Sequence, residues 1–218
     1  MDSATSKNLA VASAAQATRM LMVLGVLHAG ARHGYELHRI LVAHGTVYVD
    51  FKKPTLYHLL ARLAEQGVVD LKSETGARGP RGERLVYSIT ARGRALFQQL
   101  LRSVLGSYDG NNGGFQVAAG FLAWIPVREA QALLRKRCAG LRARQAAMRK
   151  AMEQHVSLAQ SGAMTEQQAT SRFLSADHLL SMMDAELAWM EKTIGYLGHG
   201  PRKALVAAMN SRRRAAGE

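Results

Sequence analysis

Four side chains that could read nucleic-acid bases are grouped near residue 60 of this 218-residue chain: Thr55, Tyr57, His58 and Arg62. Hydroxyl, imidazole and guanidinium groups can exchange hydrogen bonds with the edges of base pairs in a DNA groove. Lys52 and Lys53 stand just before this group, where the amino end and dipole of a helix would also attract phosphate. The group therefore predicts contact with DNA. The alternative is an exposed surface helix that carries a few charges.

A helix must present these side chains, and the surrounding pattern predicts one. Its buried stripe follows the i, i+3, i+4, i+7 spacing of one helical face: Leu56, Leu59, Leu60 and Leu63. Pro54 suits the first turn, where its missing N–H would be unpaired anyway, and Gly67 suits the left-handed residue that ends a helix. The polar and basic residues then lie on the outer face.

A basic β-hairpin is predicted directly behind this helix. Alternating apolar residues indicate strands over residues 68–72 and 84–89. The loop between them has three glycines, which let the backbone approach a partner, and three arginines that can fork onto phosphates or enter a groove: Arg78, Arg81 and Arg84. Thr90 caps a helix over residues 91–105, and Arg92 in its first turn opposes the helix dipole, which favours an external anion there.

Two further helices are predicted upstream, over residues 16–29 and 34–44. The order of elements is then three helices, a strand, a basic loop, a strand and a helix. A winged helix-turn-helix has this order, and its third helix enters the major groove while its wing contacts the backbone or the minor groove. The expected fold class is mainly α with a small β-hairpin: an N-terminal winged helix-turn-helix plus a C-terminal long-helix dimerisation domain.

Several short motifs in this half resemble the PadR family of transcriptional regulators. The matching segments, together with the wing arginines, are His33-Gly34-Tyr35-Glu36-Leu37, Thr55-Leu56-Tyr57, Leu60-Ala61-Arg62-Leu63, Gly67-Val68-Val69 and Tyr87-Ser88-Ile89-Thr90-Ala91-Arg92-Gly93. The resemblance implies a repressor whose recognition helix carries Thr55, Tyr57, His58 and Arg62. Family members usually have glycine before the threonine and proline after the tyrosine. This chain has Pro54 and His58 there, so its operator sequence stays open.

The composition agrees with a nucleic-acid partner. Lys and Arg number 29 against 16 Asp and Glu, a formal charge of +13, which attracts phosphate whatever the base sequence. We expect Tyr35, the two lysines, the wing arginines and Arg92 to lie on phosphates or in the minor groove. An architectural DNA-binding protein without a ligand is the alternative to a regulator, and it would bind without sequence preference.

Enzyme motifs are absent from the sequence, which has no phosphate-binding Gly-Lys loop, no nucleophile elbow and no His-Glu-x-x-His. We therefore expect neither enzymatic activity nor a cofactor. His28, His33 and His38 are five residues apart and share no helical face, so scattered surface or capping roles are favoured over a metal site. Cys138 is the only cysteine and lies on an apolar stripe, which predicts a buried, reduced thiol, as expected of a cytoplasmic protein.

Composition shifts divide the chain. Residues 1–15 are rich in Ala and Ser but lack the apolar region of a signal peptide, so a flexible arm is expected. No apolar run approaches the ~18 residues of a membrane span, and no membrane partner is expected. The predicted order is this arm, a winged-helix domain over 16–105, a Gly/Asn linker over 106–114, a helical dimerisation and effector domain over 115–198, and a basic tail over 199–218.

Two long helices are predicted in the second half, over residues 127–160 and 165–197, the latter begun by a capping box of Thr165 and Gln168. Their narrow apolar seams would bury little in a monomer, which predicts a homodimer. The expected interface residues are Met20, Leu24, Leu180, Met183, Leu187, Met190, Ile194 and Leu197. A twofold dimer would place two recognition helices ~34 Å apart and so favour a palindromic operator.

The resemblance further implies a small aromatic effector, such as a phenolic acid, held between the two domains. The residues that could stack on a ring or meet a carboxylate are His28, Tyr108, Phe121, Trp124, Trp189 and Tyr196. The alternative is that the large aromatic residues are simply buried in the core or in a dimer seam.

Overall fold

The structure, a computed structural model, describes residues 14–45, 51–75, 83–108 and 112–199. The elements in these ranges are, in order, α1 (Ala14–His28), β1 (Arg32–His33), α2 (Gly34–Gly45), α3 (Lys53–Glu65), β2 (Val69–Thr75), β3 (Glu83–Ile89), α4 (Ala91–Gly106), α5 (Asn112–Ala119), α6 (Val127–Gln160) and α7 (Glu166–Leu197). A 3₁₀ turn, Leu122–Trp124, lies between α5 and α6. The expected fold class is confirmed, because the described residues are mainly helical, with one small antiparallel sheet followed by two long helices. Dimerisation stays a prediction.

The sheet has the strand order β1-β3-β2, and both pairings are antiparallel. Val69 pairs with Ile89 at one end of the β2–β3 ladder and Thr75 pairs with Glu83 at the other, so β2 runs three residues beyond its predicted end at Lys72. β1 was not predicted, since two residues are too few to show an alternating pattern. It pairs Arg32 with Tyr87.

The predicted helix ends are seen where the structure describes them. Gly67 has a φ of 66°, the left-handed conformation expected just after α3, and Gly162 has a φ of 75° in the turn between α6 and α7. The capping box of α7 is present, with the Thr165 side chain accepting from the Gln168 backbone N–H and the Gln168 side chain accepting from that of Thr165. Within the described ranges, no helix is both long and apolar enough to cross a membrane.

Contacts divide the chain into two units, and each is described by itself. The first unit comprises residues 1–105 and 109–125, and the second comprises residues 106–108 and 126–218. Segment 112–125 thus belongs to the winged helix, whereas a helical domain beginning at 115 was expected. The reason is packing: a Cβ on Gly25 of α1 would lie only 2.2 Å from the Phe121 ring, and Phe115 and Val117 are buried. Within this segment α5 ends at Ala119, and a turn at Gly120 leads into the 3₁₀ turn.

The second unit is a hairpin in which α6 and α7 pack along one apolar seam. Its buried residues are Leu134, Cys138 and Leu141 of α6 and Leu180, Met183, Leu187 and Met190 of α7. Side chains predicted for a dimer interface are therefore covered within one chain, because the two seams pair with each other. Ile194 and Leu197 are half-buried, and Met20 and Leu24 lie in the core of the first unit.

A buried arginine of α6 holds Ser107 and Tyr108 within the second unit. Arg137 is only 1% exposed, and its Nε donates to Glu186 Oε1 at 2.7 Å. Its Nη1 donates to the carbonyl oxygen of Ser107, and its guanidinium lies 5.3 Å from the centre of the Tyr108 ring. The residues that follow α4 are thereby held against α6 by a charged, buried side chain, which is costly to bury without such partners.

Candidate nucleic-acid interface

The outer face of α3 carries the side chains predicted to read DNA. Thr55, Tyr57 and His58 are exposed, as are Lys52, Lys53 and Pro54 before them, while the four leucines of the stripe are buried. The amino end of α3 has no side-chain cap and no acidic residue in its first turn. Its N–H groups are consequently available to an anion, and the helix dipole favours one.

Tyr57 is held in place by a glycine on a different helix. A Cβ on Gly34, the first residue of α2, would lie 2.8 Å from Cε1 of Tyr57 and 3.0 Å from its hydroxyl oxygen. The ring therefore rests on the backbone at the start of α2 and still leaves 40% of the residue exposed. The His33-Gly34-Tyr35 motif was noted from sequence as part of the family resemblance, but its contact with Tyr57 was not predicted.

The residues beside Gly34 extend this surface. Tyr35 is 59% exposed, and its ring stacks on that of His33 with centroids 5.8 Å apart and planes 14° apart. Burial raises the pKa of Tyr87 on β3, and neighbouring Tyr57 raises it further. The Gly34–Tyr57 contact and the His33–Tyr35 stack bring Tyr35 and Tyr57 to one patch, formed by the start of α2 and the outer face of α3. His33, which was not predicted to contact DNA, lies in the same patch.

Arg62 was predicted to contact bases, but its guanidinium faces another helix of the same unit. It is half-buried, and its guanidinium faces the side chain of Gln16 on α1, where Nη1 and Nη2 donate to the amide oxygen in the amide orientation that satisfies both groups. Its Nε is buried without a hydrogen-bond partner among the described residues. Because Arg62 already has a partner within the protein, its first role is to join α3 to α1.

Thr90 fixes the start of α4 against the end of α3. Its hydroxyl lies 2.8 Å from the Gly67 carbonyl oxygen and 3.0 Å from that of Val68, and it accepts from the Gly93 N–H at 2.9 Å. A Cβ on Gly93 would lie 2.2 Å from the Val68 oxygen, so only glycine fits there. Arg92 and Arg94 are exposed in the first turn of α4, as the predicted anion contact requires.

Part of the predicted interface lies outside the described residues. Arg78 and Arg81 belong to segment 76–82, and the side chain of Arg84 is likewise not described. The same holds for most of the predicted amino-terminal arm and for the basic tail from residue 200. The wing contacts therefore stay a prediction from sequence.

The six predicted effector residues fall into separate places. His28, Phe121 and Trp124 share an aromatic cluster in the first unit: the His28 ring lies 4.2 Å from that of Trp124 and 5.1 Å from that of Phe97, and Phe97 meets Phe121 edge-on at 5.5 Å. Nδ1 of His28 is shielded from water and has no hydrogen-bond partner among the described residues. Phe97 was not among the effector residues predicted from sequence.

The other three belong to the second unit. Tyr108 stacks on Arg137, Tyr196 lies 5.8 Å from the Lys192 ammonium group, and Trp189 is 39% exposed on α7. The described parts of the chain hold no cluster of three or more His, Cys, Asp or Glu residues placed to bind a metal. His38 instead hydrogen-bonds the carbonyl oxygen of Phe51 at 2.9 Å. Burial raises the pKa of the Cys138 thiol, which is 2% exposed.

Comparison with known proteins finds a family model that matches the winged-helix segment. Residues 23–99, which run from α1 into α4, match the transcriptional regulator PadR-like family. The resemblance expected from sequence is thereby confirmed for this segment. No curated protein matches the sequence significantly.

Several solved structures are similar to parts of the chain. A transcriptional regulator from Clostridium thermocellum is 28% identical, covering 37% of this chain and 75% of that one, with a TM-score of 0.32. Bacillus subtilis PadR in complex with operator DNA is 17% identical, covering 82% of this chain and 96% of that one, with a TM-score of 0.35. The protein smu.1604c from Streptococcus mutans is 18% identical, with coverages of 78% and 98% and a TM-score of 0.36.

Proposed function

From the match of residues 23–99 to the PadR-like transcriptional regulators, we propose that the protein is a sequence-specific DNA-binding repressor that acts as a homodimer on a palindromic operator. The observation that carries the proposal is the outer face of α3, where Thr55, Tyr57 and His58 are exposed above a buried leucine stripe. An exposed polar helix face of this kind fits the major groove.

The contacts divide by chemistry. Thr55, Tyr57 and His58 face base edges in the major groove, while Lys52, Lys53, Tyr35 and Arg92 contact phosphates. The wing arginines Arg78, Arg81 and Arg84 contact phosphates or the minor groove. Arg62 acts on DNA through the position that it gives to α3, since its guanidinium is held by Gln16.

The test begins with an operator, obtained by sequencing the genomic fragments that the purified full-length protein retains. His58→Ala should then weaken operator binding about fivefold to a hundredfold, the worth of one base contact. His178→Ala, on the exposed surface of α7, is the matched control and should leave affinity unchanged. A regulator should prefer its operator over random DNA ~1,000-fold or more. Equal affinity for both would instead identify an architectural DNA-binding protein.

The homodimer is proposed through the outer face of α7. Leu174, Met182 and Trp189 are 60%, 43% and 39% exposed, and their spacing of eight and seven residues puts them on one helical face away from the seam. Exposed apolar stripes of this kind are typical of interaction surfaces. Met182→Asp should dissociate the dimer in sedimentation experiments, whereas Ala139→Asp, an equal charge at an exposed site of α6, should not. An unchanged dimer in Met182→Asp would exclude this face.

A small aromatic effector is proposed at the cluster of His28, Phe121 and Trp124. An aromatic acid could stack on these rings and, once the His28 ring turns to expose its shielded Nδ1, accept from that atom, which has no partner among the described residues. A hundredfold release of DNA needs ~2.7 kcal/mol of preference for a non-binding arrangement. Titration with hydroxycinnamates, followed by tryptophan fluorescence and operator binding, tests this. Absence of quenching and of DNA release at millimolar ligand would exclude phenolic acids.

A further inference from the structure

The α6–α7 hairpin changes character halfway along its length. From Leu134 to Gln145, the seam residues of α6 are buried, and Gln145 closes this part by donating to Asp184 Oδ1 at 2.6 Å. Beyond Gln145, toward the turn at Gly162, the same register continues through Met148, Met152 and His155, yet all three stay only half-buried. The distal half of the hairpin is therefore incompletely packed.

The cause is the small residue that faces them. Ala176 stands on α7 where the seam of Leu180, Met183 and Leu187 would continue. The result is an open trough of about 300 Å³ with an apolar lining of Ala147, Met148, Ala151, Met152 and Ala176. This volume is at the lower end of the range of small-molecule sites.

The polar residues of the trough are donors. Arg144 lines one end and His155 the other, about 16 Å apart along α6 at 1.5 Å per residue. His155 Nε2 lies 3.4 Å from Nη1 of Arg172, which can only donate, so the histidine proton is on Nδ1. That Nδ1 is shielded from water and has no hydrogen-bond partner among the described residues. No acidic side chain is among the lining residues.

We propose that this distal trough binds an amphipathic monocarboxylate, with its apolar body on the methionine and alanine lining and its carboxylate on the Nδ1–H of His155, whose ring must turn to bring that shielded atom into the trough. An apolar lining with donors alone at its ends complements an anion that has an apolar body. Met side chains adapt to irregular ligands. The site is distinct from the His28 cluster, because every lining residue belongs to the second unit.

Binding is tested by calorimetry on the full-length protein without DNA, so that its failure is separate from any failure of the DNA-binding proposal. The probes are decanoate and 6-phenylhexanoate, each compared with the alcohol of equal length. Wild-type protein should bind a carboxylate at least about tenfold more tightly than its alcohol, as expected for a hydrogen bond to a charged group. The tighter of the two carboxylates identifies the body as aliphatic or aromatic. No saturable binding of either at 1 mM would overturn the proposal.

Two variants locate the site. His155→Ala should reduce carboxylate affinity to that of the alcohol, while the surface variant His178→Ala should not. Ala176→Leu should fill the trough and abolish binding of both compounds, while Ala185→Leu, exposed on the same helix, should change nothing. Should Ala176→Leu fail to fold by circular dichroism, Ala151→Leu fills the trough from the opposite wall. Unchanged binding in a folded filling variant would exclude this site.

Discussion

At the scale of single residues, the position of Tyr57 depends on a residue that need not touch DNA. Gly34 leaves no room for a methyl group beside the Tyr57 ring. Replacing it would move the ring without removing any group able to contact a base. The contribution of Tyr57 to recognition can therefore be tested without changing α3.

Gly34→Ala is expected to weaken operator binding on the order of tenfold, because the tyrosine loses its place in the groove. Thermal stability should change little, since alanine favours the helix while the ring must shift. Gly140→Ala is the control: it lies in α6, and a Cβ there meets nothing within 4 Å. Gel-shift titrations and thermal melts of both variants provide the measurement, and wild-type affinity in Gly34→Ala would show that Tyr57 is not positioned in this way.

Arg62 offers a second test at this scale. If it acts through Gln16, Arg62→Ala and Gln16→Ala should each weaken operator binding, and the double variant should lose no more than the larger single loss. A direct base contact by Arg62 predicts additive losses of about 1 to 3 kcal/mol for the arginine alone. A double-mutant cycle on operator DNA separates the two. The pattern of the sequence placed Arg62 on the outer side of α3 but could not show that α1 approaches it there.

At the scale of elements, sequence predicted those parts whose cause is local. The leucine stripe, Pro54 and Gly67 define α3, and Thr165 with Gln168 defines the start of α7, because periodicity and capping act over a few residues. What sequence could not show was which surface pairs with which. The seams of α6 and α7 were assigned to a second subunit, since a heptad pattern is the same whether its partner belongs to the same chain or another.

Thr90 has one role that is local in sequence and one that depends on how two helices pack. Its role as an N-cap follows from sequence, but its contact with the carbonyl groups of Gly67 and Val68 depends on how α3 and α4 meet. Thr90→Val should lower the free energy of unfolding by about 1 to 2 kcal/mol, through loss of the cap and of its bonds. Thr170→Val, exposed on α7, should cost less than about 0.5 kcal/mol. Urea unfolding of both variants checks this, and equal stabilities would contradict it.

At the scale of the whole molecule, the winged helix does not end where its last predicted helix ends. Phe115, Val117 and Phe121 pack into the first unit. Composition had suggested otherwise, because the Gly/Asn-rich stretch near residue 110 reads as a linker wherever the chain goes next. A linker-like composition does not show which of the two units the residues after it pack against.

A fragment of residues 1–125 should therefore fold, whereas residues 1–105 should melt more than about 10 °C lower or not fold at all. Losing three apolar side chains, each worth about 1.5 to 3 kcal/mol when fully buried, exceeds what a small domain can spare. Circular dichroism melts of the two fragments measure the difference. Equal midpoints would place residues 109–125 outside the winged-helix core.

Because Cys138 is buried, a cysteine introduced on the surface can be labelled selectively. A thiol that is 2% exposed and has a raised pKa should react with maleimide only slowly in the folded protein. The natural sequence thus serves as an unlabelled background. A cysteine introduced by Gln99→Cys, at an exposed site of α4 outside the proposed interface, would carry the spin label alone. The distance between two such labels on operator DNA would test whether the proposed dimer sets its two winged helices about one DNA turn apart.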